Sequence, residues 1–500
     1  MQKTERSTWH HYCPEALLTL AVCAACAVAL TFLRGMWLDE AWTIWFTDPG
    51  LPFAVAYDRW LHDAAHPHLY LFVQWLLSPL TETSLAARRL THLPLLLALV
   101  IPTVLLVRRN TSPDYLLLVA VAFATNPFFI TYFAEHRPYN IALISVGCLA
   151  LLIRFVHVEA AAQRPVSWAA YAWLFLMALF ALNIHYTVAM TAATLLGCSV
   201  LTELYLRRIR LVLMLLAILM IALVAASLQL FAAVQVGAPT SPAYFTVQKG
   251  MLYIAVMLLA GLVANPALAW FAAWGSREEF RRGIGVLPRE PGSRSFVIIL
   301  IGTLIVCALG FAVLHLITRS VAPRLLIGLL APSIILLVEL ATWRSLGRGQ
   351  FRLICLSGAL LVLATMVHQA NNRRWEHHLP RIKQIVMECP TTRVFAVPRR
   401  FREGIGEQEA QVHPFVYRLL GRKGGFDVEV LPQQTSLSIR DISCPVLLWR
   451  EHEFLPDRTA AEWLAYARVE ADPRQIAATE VLRAESHILV VVPPLSAIND

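Results

Sequence analysis

Long apolar runs separated by short polar punctuation fill residues 16 to 370, and the pattern stops there. A bilayer-spanning helix needs about 20 mainly apolar residues, with roughly 17 to 25 tolerated. Runs of that length centre on 15–33, 90–107, 114–132, 140–156, 168–184, 186–206, 211–234, 250–274, 296–317, 323–343 and 353–370, so about eleven spans are expected. The stretch "HLYLFVQWLLSPL", 68–80, is too short to cross. It ends in Ser-Pro and carries Trp and Tyr, which favour the membrane–water boundary, so it is expected to lie in the interface within a first outer loop of interfacial helices. Beyond 370 the chain alternates strand-like runs ("RVFAV", "DVEVL", "CPVLLW", "HILVVV") with a helical one, "RTAAEWLAYARVE". The fold expected is an α-helical polytopic membrane domain, 1–370, followed by a C-terminal soluble α/β domain, 371–500. Lys3 and Arg6 precede "EALLTLAVCAACAVALTF", an apolar run longer than the core of a cleaved signal peptide, and it reads as an uncleaved signal-anchor.

Composition agrees with this reading. Charged residues make up 15% of the chain, against about a quarter in soluble domains. That proportion, with a mean hydropathy of +0.59, excludes an ordinary soluble enzyme. A net charge of +9 would suggest nucleic acid in a soluble protein. Here the basic residues cluster between apolar runs, as cytoplasmic anchoring requires, so the partner is the bilayer and not nucleic acid. If 68–80 does not span, Arg108, Arg109, Arg154, Arg164, Arg207, Arg208, Arg210, the 277–294 loop, Arg344, Arg348 and Arg352 all fall on the side of a cytoplasmic N-terminus. If it did span, every later loop would invert and the bias would fail. Cys389 and Cys444 are alone in the tail and would be free to pair in an extracytoplasmic compartment.

This topology puts several chemistry-bearing motifs on one outer face. "RGMWLDEAWTIWF" sets Asp39 and Glu40 between Trp37, Trp42 and Trp45 where the chain leaves the lipid. Carboxylates at that boundary are costly unless solvated, paired or bound to a cation. Two readings stay open: a solvated loop start in an aromatic belt, or a general base or metal ligand in a cavity. "HDAAHPH" (His62, Asp63, His66, His68) has metal-ligand residue types, although Pro67 interrupts any regular helix. "FAEHRPY" carries Glu135, His136, Arg137 and Tyr139, either as a self-neutralising ion pair or as part of a site. "NIHYT" adds His185. Arg319 and Arg324 in "TRSVAPR" lie at the outer boundary, where positive-inside bias would not place them; a guanidinium fork suits a phosphate, and snorkelling to headgroups is the alternative.

The order of "WLDEAW", "HPHLY", "ARRLTHLPLLLALVIPTVLLVRR", "NPFFITYFAEHRPYNIAL" and "APRLLIGLLAP" resembles the C-type (GT-C) membrane glycosyltransferases. The similarity is to the bacterial branch related to protein mannosyltransferases and aminoarabinose transferases. It runs through roughly 15 to 155, with a fainter echo near 319 to 335. Leu325 stands where the family has tyrosine, and His68 where it has a second proline. The resemblance implies a transferase of the bacterial inner membrane moving a sugar from a polyprenyl-phosphate donor to a hydroxyl of a cell-envelope lipid, polysaccharide or protein. It implies that Asp39, with Glu40 beside it, is the catalytic carboxylate, and that Glu135, Arg137, Tyr139 and Arg324 contact the donor. His185 and Arg319 join that donor set by position. A divalent cation (Mg or Mn) on Asp39, Glu135 and His66 is a further expectation. The chemistry suits these residues: a leaving phosphate needs charge stabilisation more than a proton, and the acceptor hydroxyl needs a base. Direct displacement would invert the anomeric centre. The rivals are a transporter or flippase of lipid-linked sugars, which would carry midplane ionisable groups and interrupted helices, and a non-catalytic membrane scaffold.

Overall fold

The computed structural model describes residues 13–61, 67–81, 84–235, 246–282, 292–318, 322–342, 346–371, 376–397, 407–431, 436–440, 442–451, 458–484 and 487–498. They form two compact units. One takes in Thr47–Gln369 and the chain up to Phe32; the other takes in Leu33–Phe46 and the chain from Ala370 onward.

In the first unit each of the eleven apolar stretches is helical. Among the described residues, eight helices are long and apolar enough to cross a membrane, and ten if two sharply bent pairs each count as one. The stretch near 168–184 is a shorter apolar helix of 17 residues, Trp168–Ile184, so a count of eleven depends on how that helix and the bent pairs are treated. The 68–80 stretch is the helix His68–Thr81, not a candidate span. It packs against the helix Phe53–Leu61 through Phe53, Trp60, Phe72 and Trp75.

Burial separates the helices into a centre and a rim. Tyr139–Ala161 is buried along 94% of its apolar stretch and Pro323–Thr342 along 83%, whereas the other spans are buried along 28% to 39%. Rim helices turn Leu213, Ile298 and Ile317 outward, where lipid takes the place of core.

Both bends occur at Asn-Pro. Pro113–Ala124 and Pro127–Phe133 meet at 64°, and Val247–Val263 and Pro266–Trp274 at 81°. Proline lacks the N–H that would continue the helix, and the preceding asparagine starts the new one. Asn126 Oδ1 accepts from the Phe128 N–H at 2.9 Å, and Asn265 Oδ1 from the Leu268 N–H at 3.1 Å. Backbone freed inside a membrane must be answered by protein. Asn265 Nδ2 donates to Thr125 Oγ1 (3.2 Å) and to the Ile354 carbonyl (3.1 Å), which joins the two breaks.

Charges are also buried in this unit. Arg154 pairs with Glu339, whose second oxygen accepts from Ser293 Oγ at 2.9 Å, and the Arg154 guanidinium lies 4.2 Å from the Tyr115 ring centroid. Glu203 holds both His157 and Arg208.

The second unit contains strands β1 (Arg393–Ala396), β2 (Glu429–Val430), β3 (Leu437–Ser438), β4 (Val446–Glu451), β5 (Val469–Glu470), β6 (Glu480–Arg483) and β7 (His487–Val492). Five form a mixed sheet ordered β2-β1-β4-β7-β6, parallel across β2-β1-β4 and antiparallel across β4-β7-β6; β3 and β5 pair separately. β7 is buried at every position, which is why it reads as the continuous run "HILVVV". Phe395, Leu448, Trp463, Ile488 and Val490 share its core. A Cys389–Cys444 disulfide ties the helix Leu379–Glu388 to the chain just before β4.

Glu339→Leu strands the Arg154 guanidinium in a buried site, and one broken buried pair costs about 3–5 kcal/mol. We expect that loss in denaturant unfolding of the detergent-solubilised protein. Arg154→Met with Glu339→Leu should recover most of it, because no ion is then left unanswered.

Candidate active site

The acidic stretch is resolved by helix geometry. Leu38–Phe46 is a helix preceded by Trp37, whose carbonyl accepts the Glu40 and Ala41 N–H groups. Glu40 reaches back so that its Oε2 accepts the Trp37 N–H at 3.0 Å. This is the returning half of a capping box, placed three residues into the helix where such a glutamate belongs. Glu40 is fully buried, while Asp39 beside it is half-buried. Two carboxylates that look equivalent in sequence thus have different surroundings: one is fully buried and secures the helix start, the other is only half-buried. Trp45 and Phe46 are 5% and 2% exposed and pack on each other and on Trp42.

In the first unit, "FAEHRPY" is a tight turn between the helices Pro127–Phe133 and Tyr139–Ala161. The Arg137 N–H donates to the Glu135 carbonyl at 2.8 Å, and Asn140 Nδ2 donates across the turn to the Phe129 carbonyl at 2.8 Å. Glu135, His136, Arg137, Tyr139 and His185 are all buried. The Arg137 guanidinium lies 5.7 Å from the Tyr139 ring centroid, and Tyr139 stacks 5.4 Å from His185 and 5.1 Å from Tyr132. His185 in turn hydrogen-bonds Thr187 Oγ1 through Nδ1 at 2.8 Å. Arg137, Tyr139 and His185, chosen from two separate motifs, are therefore one cluster.

Arg324 is the second residue of a 3-10 helix, Pro323–Leu329, that packs against both Tyr139–Ala161 and Tyr186–Tyr205. Gly328 permits that approach: a Cβ there would fall 2.5 Å from Thr191 Oγ1. Arg319 and His66 lie outside the described residues, as do His62 and Asp63. Among the described residues, no three His, Cys, Asp or Glu side chains are grouped to hold a metal ion.

A second buried group was not singled out from sequence. Arg88 and Arg89 are each 1% exposed. Arg88 donates to Thr47 Oγ1 at 2.9 Å and Arg89 to the Thr31 carbonyl at 2.9 Å. Tyr70 Oη bonds His92 Nε2 at 3.0 Å, and the His136 ring lies 6.3 Å from Tyr70. The available signal was the one used for Arg319 and Arg324: arginines at an expected outer boundary against the positive-inside bias. Burial, with the charges of Arg88 and Arg89 and the nearby His92 ring, holds His136 well below the usual histidine range, so it is neutral.

Comparison with solved structures finds the same architecture in ArnT from Cupriavidus metallidurans bound to undecaprenyl phosphate, at 12% identity over 95% of this chain and 97% of that one, with a TM-score of 0.52. ArnT from the same organism in the apo state gives 12% identity, the same coverage and a TM-score of 0.53. The fold is ArnT-like. No family model and no curated protein matches the chain by sequence, so the likeness is one of architecture. The resemblance drawn from the motifs holds at the level of the fold.

His136 supplies a pH dependence. Its folded pKa is depressed, so its contribution to stability is present above the unfolded value near 6.5 and is lost as pH falls below it, where only the unfolded chain takes up the proton. The melting temperature should fall from pH 7 to pH 5, and His136→Asn should flatten that slope.

Proposed function

We propose that this protein is a membrane glycosyltransferase that moves a sugar from a polyprenyl-phosphate donor to an acceptor hydroxyl at the outer face of the bacterial inner membrane. The observation that carries the reading is the fold shared over 95% of the chain with ArnT, whose structure was solved bound to undecaprenyl phosphate. The motif resemblance and the environment of Asp39 support it independently of each other.

In this reading Asp39 takes the proton of the acceptor hydroxyl as its oxygen forms a bond to the anomeric carbon. The bond from that carbon to the donor phosphate oxygen breaks on the opposite face, releasing polyprenyl phosphate and inverting the centre. Arg137 and Arg324, with Arg319, balance the charge that collects on the leaving phosphate. Tyr139, stacked on His185, fixes Arg137 by ring contact, and Glu135 binds donor hydroxyls.

The reading also puts the tail outside. A disulfide such as Cys389–Cys444 persists in an oxidising compartment and is rare in the bacterial cytosol. A flippase of lipid-linked sugars would carry interrupted helices, and two bent helix pairs are present among the described residues. At those breaks Asn265, Thr125, Ser357 and the Ile354 carbonyl bond one another, and what favours the enzyme is that the acids, histidines and arginines singled out from the sequence are expected on one face.

The test is purified protein in nanodiscs given a panel of undecaprenyl-phosphate sugars, with released undecaprenyl phosphate followed by mass spectrometry. A general base contributes about 10²–10⁴-fold, so Asp39→Asn should lose transfer by that factor while melting normally. Glu40→Gln keeps a carbonyl oxygen for the Trp37 N–H and should stay within a few-fold of wild type. Full activity in Asp39→Asn would remove the reading, and donor crossing the bilayer intact would favour the flippase. In intact cells, Cys389 and Cys444 should resist maleimide until a reductant that cannot enter the cytosol is added. Free, reactive thiols before reduction would reverse the topology.

A further inference from the structure

The α/β tail has no role in the chemistry above, yet the segment bearing Asp39 belongs to the same compact unit as the tail. Two consecutive backbone N–H groups lead into the helix Leu38–Phe46, and both are taken by carboxylates. The Trp37 N–H goes to Glu40, and the Met36 N–H goes to Oε1 of Glu376 at 2.9 Å, 340 residues along the chain. The other oxygen of Glu376 accepts from Lys423 Nζ at 2.7 Å, in the last turn of the helix Glu407–Gly424. That helix packs against Leu38–Phe46 and against Leu379–Glu388, whose far end carries the disulfide.

The two bonds made by Glu376 differ in consequence. Lys423 is half-exposed, and an ion pair with such a partner contributes little. Met36 is 1% exposed, and a buried N–H left without an acceptor is costly enough to move the backbone that carries it. That backbone enters the helix three residues before Asp39. We infer that Glu376 is a positioning residue, through which the C-terminal domain sets the place of Asp39, and that Lys423 serves mainly to keep the Glu376 side chain oriented. The inference rests on the proposed role of Asp39 for its catalytic consequence, but not for the tether itself.

Hydrogen exchange and turnover, measured together on the full chain in nanodiscs, test both parts. Glu376→Ala should speed exchange of the Met36 amide at least tenfold. It should also lower kcat by about 10- to 100-fold with the donor KM within about twofold, the signature of a displaced catalytic group. Glu376→Gln, which keeps an oxygen acceptor of the same shape, should retain slow exchange and most of the turnover. The charge swap E376K/K423E restores the ion pair but removes the acceptor, and should behave like Glu376→Ala. Unchanged exchange in Glu376→Ala overturns the tether, as does full recovery in the charge swap. If wild-type protein transfers no sugar, the exchange result still decides the tether, and only the proposed function fails.

Discussion

An arginine taken out of water must have its guanidinium hydrogens met by protein oxygens, and Arg88 and Arg89 meet theirs at two points in the chain. Arg88 reaches Thr47 and Arg89 reaches the Thr31 carbonyl, immediately after and shortly before residues 33–46. Adjacent residues on a helix do not face the same way, so one pair of arginines can hold two separate segments. The exit of the chain from its first span and its return are thereby pinned to a single helix. Within the segment that lies between, Glu40 and Glu376 take the two N–H groups that lead into the helix bearing the half-buried Asp39.

The same rule shaped what could be read from sequence. Apolar runs were legible because a bilayer demands length and leaves few alternatives. The two breaks were not, since 114–132 and 250–274 count as continuous spans on hydropathy alone. The information was local and present: Asn-Pro in "TNPFF" and again in "ANPAL" removes a donor and supplies a cap. In the tail, "HILVVV" and "CPVLLW" were visible as buried strands. "EVLR", an edge strand with charged ends, lacks the apolar run and was passed over.

Asp39 and Glu40 show the limit differently. Adjacency makes them equivalent in any motif, and the sequence points to a cap only when Ser, Thr, Asp or Asn sits at the helix start. Here Trp37 holds that position, so the returning glutamate had no visible partner. Arg88 and Arg89 were quoted within a motif without being singled out, because their oxygens lie 41 and 58 residues away and neither threonine is marked by composition.

The distribution of charge bears on the proposed chemistry. His136 and His185 are buried next to the arginines and tyrosines of the turn, and a histidine there that titrated near neutrality would make the local charge vary with pH. Burial and the neighbouring arginines remove that variation at His136 by keeping it neutral. Around His136 the positive charge then comes from guanidinium groups, which stay protonated at every physiological pH. A lipid phosphate released at the outer face of a bacterial membrane meets whatever pH the surroundings impose. A site that balances its charge with Arg137 and Arg324 would hold that product's charge equally well across that range.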